Sequence, residues 1–143
     1  MFAQDISSVV VVDSTTRDDL HARAKLFVKT YSSECEESID DKDYTISLRC
    51  KYPVKSMPSA QISEISFLFI CESRDGRYRY KFSDIEFRIK VGTLTREKVY
   101  SIEEEKVKDI SAKQWASVKD QTTKLINGMI RALEGKMVEK SDW

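Results

Sequence analysis

Residues 63–91 limit what this chain can fold into more than any other stretch. Two runs of alternating apolar residues flank Asp75-Gly76. That dipeptide between such runs predicts a β-hairpin with a type I′ turn, which needs φ > 0 at both central residues. The incoming run places Ile65, Phe67, Phe69 and Cys71 on one face. The outgoing run starts with Tyr78, Tyr80 and Phe82 on one face and Arg77, Arg79 and Lys81 on the other. From Ile85 the phase changes, and the apolar residues become Ile85, Phe87, Ile89 and Val91. A strand's side chains alternate with period two, so one phase change means one surplus residue. A β-bulge at Ser83-Asp84 sets Cys71 opposite Tyr80, Phe69 opposite Phe82, Phe67 opposite Ile85 and Ile65 opposite Phe87. An unbroken ladder would set Phe67 against Asp84 and Ile65 against Glu86. The bulge is therefore predicted, and with it added twist and curvature of the sheet.

The rest of the chain arranges itself around this hairpin. Residues 6–12 read as a strand. Its Val9-Val10-Val11-Val12 run is apolar on both faces, which predicts a central or well-covered position. Thr16 with Asp19 resembles a capping box, and Leu20, Ala24, Phe27, Val28 and Tyr31 recur at helical spacing, predicting a helix over 17–31. A short acidic strand over 34–39 and a turn at 40–43 follow. Tyr44, Ile46, Leu48, Cys50, Tyr52 and Val54 then alternate with Thr45, Ser47, Arg49 and Lys51, a strand ended near Pro53. Residues 56–60 are a loop. Residues 92–110, rich in charge, read as an extended crossing loop with one short strand at most. Ser111 with Gln114 forms a capping box for a second helix, which carries Trp115, Val118, Thr122, Leu125, Ile126, Met129, Ile130 and Leu133 on one face. Gly135 is placed to cap it, and 136–143 read as a polar tail. The expected fold is α+β: one domain over 1–143, a curved, mainly antiparallel five-stranded sheet with two helices on one face, in the order β-α-β-β-β-β-α.

Lysine plus arginine and aspartate plus glutamate number 24 each, so the formal net charge is zero. That removes the basic field on which general binding to nucleic acid or anionic membrane depends. No apolar run approaches the roughly 18 residues of a membrane span. Cys35, Cys50 and Cys71 lack metal-ligand spacing. They read as buried thiols or as one disulfide plus a free thiol, with Cys35 and Cys50 then forming the pair. Phe2-Ala3-Gln4-Asp5 resembles the stub left after signal-peptide cleavage, against an ordinary disordered start.

The run Asp18-Asp19-Leu20-His21-Ala22-Arg23-Ala24-Lys25-Leu26-Phe27 behind a valine-rich strand, together with Asp75-Gly76-Arg77-Tyr78-Arg79-Tyr80-Lys81-Phe82-Ser83-Asp84, resembles a Bacteroides-type envelope family, domain of unknown function 4468, with a TBP-like fold. Tyr100-Ser101-Ile102-Glu103 is similar to that family's Pro-Ile-Glu element without its proline. The resemblance implies an exported protein of the periplasm or cell envelope, with the cytoplasm as the alternative. It implies no catalytic residues, and a TBP-like shape does not imply DNA binding.

No catalytic, cofactor or metal site is singled out. Arg77, Arg79 and Lys81 alternate with Tyr78, Tyr80 and Phe82, so basic and aromatic side chains fall on opposite faces and form no base-stacking platform. His21 is the only histidine and reads as flanked by solvent. The acidic residues between Glu34 and Asp43 lack the Asp-x-Asp-x-Asp-Gly calcium pattern. The remaining feature is the second face of the hairpin. Leu68 and Ile70 lie there with Arg79, Lys81 and Arg88. Either the 92–110 loop covers them, or they form an apolar spot rimmed by charge that meets a partner. The function expected first is a non-catalytic binding module for an unknown protein or small ligand. A small carboxylate-dependent hydrolase comes next, and nucleic-acid binding by the sheet last.

Overall fold

The computed structural model describes residues 5–31, 34–55, 61–91, 97–108 and 110–138. Residues 2–4 of the expected signal-peptide stub, the expected loop at 56–60 and the last residues of the expected tail, 139–143, lie outside them. The elements are β1 (Ile6–Val11), α1 (Arg17–Lys29), β2 (Cys35–Asp40), β3 (Thr45–Pro53), β4 (Gln61–Arg74), β5 (Arg77–Val91), β6 (Lys98–Ser101) and α2 (Ala112–Met137). The sheet runs β1-β5-β4-β3-β2, and β6 also pairs with β5. All pairings are antiparallel. The one short strand allowed for in the 92–110 segment is β6.

The β4–β5 ladder carries the expected irregularity. Leu68 faces Ser83 and Ser66 faces Glu86, so Phe67 alone stands opposite Asp84 and Ile85. Asp84 takes φ +51, the left-handed conformation of a bulge residue. Cys71 faces Tyr80, Phe69 faces Phe82 and Ile65 faces Phe87. Both sides of the irregularity therefore send their apolar residues to the same face.

Against that face lie both helices. Leu20, Ala24, Phe27 and Val28 of α1 and Trp115, Val118, Ile126, Met129 and Leu133 of α2 join Ile46, Leu48, Phe67, Phe69, Phe82, Ile85 and Phe87 in one core. Thr16 Oγ1 accepts the Asp19 N–H, and Ser111 and Gln114 close the full capping box of α2. Each such cap is worth about 1 kcal/mol.

Four expectations change. First, β1 is an end strand. It pairs with β5 alone among the described residues, and Val9 and Val11 are 59% and 66% exposed. A continuous valine run reports β propensity, which an end strand satisfies as well as a central one. Second, the hairpin turn is not type I′, because only Gly76 (φ +73) has a positive φ there. The tip is docked instead. Val12 N donates to Gly76 O at 2.9 Å, Gly76 N to Thr15 O at 2.7 Å, and Arg17 N to Asp75 Oδ1 at 2.8 Å. The Asp75 carboxylate thus sits at the N-terminus of α1, where helix amides and dipole favour it. Third, α2 continues through Gly135 to Met137, so residues 136 and 137 of the expected tail belong to the helix. Met137 is fully buried, and its carbonyl accepts Arg23 Nη1 at 2.6 Å. Burying that side chain offsets the roughly 1 kcal/mol that an interior glycine costs. Fourth, α1 ends at Lys29 rather than Tyr31, with the last amides turning back onto Phe27 and Val28.

The bulge makes a test of register possible. Deleting Asp84 removes the surplus residue and leaves Phe67 opposite Ile85, so the shortened chain should still melt cooperatively. Deleting Glu86 either throws Phe87 and Ile89 out of phase or, if the bulge straightens, turns Asp84 inward and Ile85 outward, so it should melt well below the Asp84 deletion, read by circular dichroism on heating.

Candidate interaction face on the open side of the sheet

With the helices on one side, the opposite side of the sheet is lined by alternate residues. Ile70 stands between Lys81 of β5 and Ser47 of β3, and Leu68 between Ser83 and Arg49. Both are half-buried. Arg79 faces Glu72 directly and forms an ion pair with it. Leu68, Ile70, Arg79 and Lys81 therefore gather on neighbouring strands. Arg88 shares the face but lies beyond the bulge, roughly 13 Å further along β4. Its guanidinium donates to Ser66 Oγ at 2.9 Å, Glu97 Oε1 at 2.8 Å and Glu86 Oε1 at 3.2 Å.

The 92–110 segment does not cover Leu68 and Ile70 in its described part. β6 joins the outer edge of β5 beside Glu86, Phe87, Arg88 and Ile89. Ile102 and Val107 then enter the core, and Trp115 Nε1 donates to Glu104 O at 2.8 Å, which ties the segment to α2. Residues 92–96 lie outside the described set.

Sequence reasoning missed two parts of this face. Val9 and Val11, opposite Arg79 and Arg77, extend it across β1. A depression of about 210 Å³ lies beside Val9, lined by Val9, Glu72, Arg74, Arg77, Tyr78 and Arg79. A second, mainly apolar groove of about 470 Å³ opens elsewhere, where Tyr52, Pro53 and Ile65 meet Leu125 of α2 with Lys55 and Lys124 at its margin. Burial, with a smaller contribution from Tyr31 and Glu34, pushes the Tyr52 hydroxyl up to about 12.

His21 departs from its expected solvent position. It is 5% exposed, its Nε2 lies 2.8 Å from Asp41 Oδ1, and its ring meets Tyr44 edge-on at 5.3 Å. The signal was present, because His21 precedes Ala24 and Val28 by three and seven residues and so shares their stripe. Lys25 Nζ also reaches Asp41 Oδ1, at 2.6 Å. These two hydrogen bonds, that from Lys25 foremost, hold the Asp41 carboxyl below its usual range. A lowered carboxyl adds stability above its unfolded pKa and loses it as pH falls through the folded value. Asp41→Asn should therefore lower the melting temperature at pH 7, and the difference from the parent should shrink as pH falls below the ordinary carboxyl value of about 3.9.

Cys35 and Cys50 stand directly opposite each other on β2 and β3 and form a disulfide, Cα to Cα 4.2 Å. Cys71 is the free, buried thiol. Burial first, then the neighbouring Glu72, push it up to about 12, so it stays protonated and unreactive at neutral pH. A chromogenic thiol reagent should find no reactive cysteine in the native protein and one after unfolding in denaturant.

No protein-family pattern and no curated protein matches the chain in sequence. Solved structures do match. A TBP-like protein from Parabacteroides distasonis ATCC 8503 superposes with a TM-score of 0.67 at 13% identity, covering 91% of this chain and 92% of that one. A DUF4468 family protein from Bacteroides ovatus ATCC 8483 superposes with a TM-score of 0.70 at 11% identity, covering 97% and 88%. Both support the resemblance carried by the first helix and the hairpin. Such identities establish shape alone: this chain has the TBP-like α+β fold.

Proposed function

We propose that this chain is a non-catalytic interaction module of the bacterial cell envelope that meets a protein through the open face of its sheet. The observation that carries the reading is one-sided covering. Both helices bury one face, while Leu68 and Ile70 sit half-buried in the middle of the other, among Arg49, Arg79 and Lys81. A sheet face that meets only water has no need of a large aliphatic pair at mid-strand. Charge of both signs lies around it: Arg79 pairs with Glu72, Arg49 faces Glu36 of β2, and further along Arg88 pairs with Glu86 and Glu97. That mixture favours a protein surface over nucleic acid, whose phosphates select an unopposed basic field.

One observation supports placement outside the cytoplasm: the Cys35–Cys50 disulfide fits an oxidising compartment. Among the described residues, no helix is long and apolar enough to cross a membrane.

Leu68→Ser with Ile70→Ser tests the reading. The double variant should fold, losing about 1–3 kcal/mol for two half-buried side chains. A photo-crosslinker placed at Arg49, beside the pair, should trap a discrete envelope protein in the parent and lose it in the variant. The same adduct from both proteins would remove the face from consideration.

A further inference from the structure

The two edges of the sheet are built differently. β2 closes one edge with Glu36, Glu37 and Asp40, all exposed. Charge on an edge strand is a standard defence against pairing with another chain. β1, at the other end of the sheet, has no such defence. Ile6-Ser7-Ser8-Val9-Val10-Val11 holds no charge, proline or glycine.

The register shows which backbone groups β1 leaves open. Val12 N donates to Gly76 O, and that contact continues the Val11–Arg77, Val10–Tyr78 ladder by one residue. In an antiparallel ladder the inward amides come every second residue. Those of Val12, Val10, Ser8 and Ile6 therefore turn toward β5, and those of Ser7, Val9 and Val11 turn outward. Among the described residues β1 has no second neighbour. Val9 and Val11 are also exposed, 59% and 66%, so among the described residues the face above that edge is open as well.

We propose that two copies of this chain pair through β1, antiparallel about a twofold axis. An extended strand can replace water along a row of alternating outward amides and carbonyls, pairing every one of them. The strand is neutral, so two copies meet without opposing like charges. Apolar matching sets the register: Val9 faces the partner's Val11 and Val10 faces the partner's Val10. The outward groups of Val9 and Val11 then exchange about four hydrogen bonds with their counterparts. Ser8 meets the partner's Val12, and no charged residue enters the seam between Ser8 and Val12. The contact is isologous, so it closes at two copies. The two sheets join, and the open faces of both copies become one surface.

Sedimentation velocity on the full chain between about 1 and 200 μM tests this. The parent should shift from monomer to dimer. Val9→Lys, at a position exposed enough to accept lysine, should weaken the dimer at least tenfold and keep its circular dichroism. Val9→Thr should dimerise like the parent. Val10→Cys should give a covalent dimer on mild oxidation, since Val10 faces its own copy. A parent that stays monomeric throughout, or a dimer indifferent to Val9→Lys, would overturn the proposal. A dimer in which Val10→Cys fails to crosslink would overturn the register.

Discussion

The structure depends on one act of matching: apolar opposite apolar along the middle of β4 and β5, from Ile65 and Phe87 to Cys71 and Tyr80. These are the longest strands, and their shared inner face is the floor on which both helices rest. A slip of one residue anywhere along them would send aromatic side chains into water. The chain carries a surplus residue in β5 and absorbs it at Asp84, which takes a left-handed conformation between two regular ladders. Aspartate tolerates that conformation better than most residues, because its short carboxylate can hydrogen-bond locally. The irregularity leaves Phe82 and Ile85 on the same side, although they are three positions apart.

A second constraint works at the hairpin tip. The Gly76 amide and carbonyl and the Asp75 carboxylate all bond to the segment that joins β1 to α1. The turn is therefore shaped by what it touches as well as by its own dipeptide. Arg17 lies over the Tyr44 ring at 4.1 Å, and Tyr44 takes φ +53 while its carbonyl accepts Ser73 N at 2.9 Å. Three connections are held together at that end of the molecule. This gives α1 a fixed starting point and sets its buried stripe over Phe69.

Sequence periodicity revealed the parts of the fold governed by alternation. The bulge was legible because Phe82 and Ile85 break a count of two. The helix stripes were legible because Leu20, Ala24 and Phe27 keep a count near 3.6. Position within the sheet was not legible. A run of valines has the same local preference at an edge as at the centre, and only the partner of β5's outer side decides between them. Gly135 was misplaced for a related reason. A glycine near a helix end resembles a cap until a buried methionine two residues on extends the helix. His21 was read by chemistry rather than by phase, and phase would have placed it inside. The open face was partly legible, since Leu68 and Ile70 stood out by parity. Val9 and Val11 did not, because their exposure follows from the strand order.

The outer side of β5 is shared by two strands far apart in the chain, β1 before the bulge and β6 after it. Ile6 meets Phe82 across a loop that encloses α1, β2, β3 and β4. Closing so large a loop carries an entropic cost that short hairpins avoid. The β3–β4–β5 meander can form from neighbours alone, whereas β1 must wait until that meander offers it an edge. The N-terminal strand thus waits on the meander, and until that edge exists the valine-rich segment is without its partner.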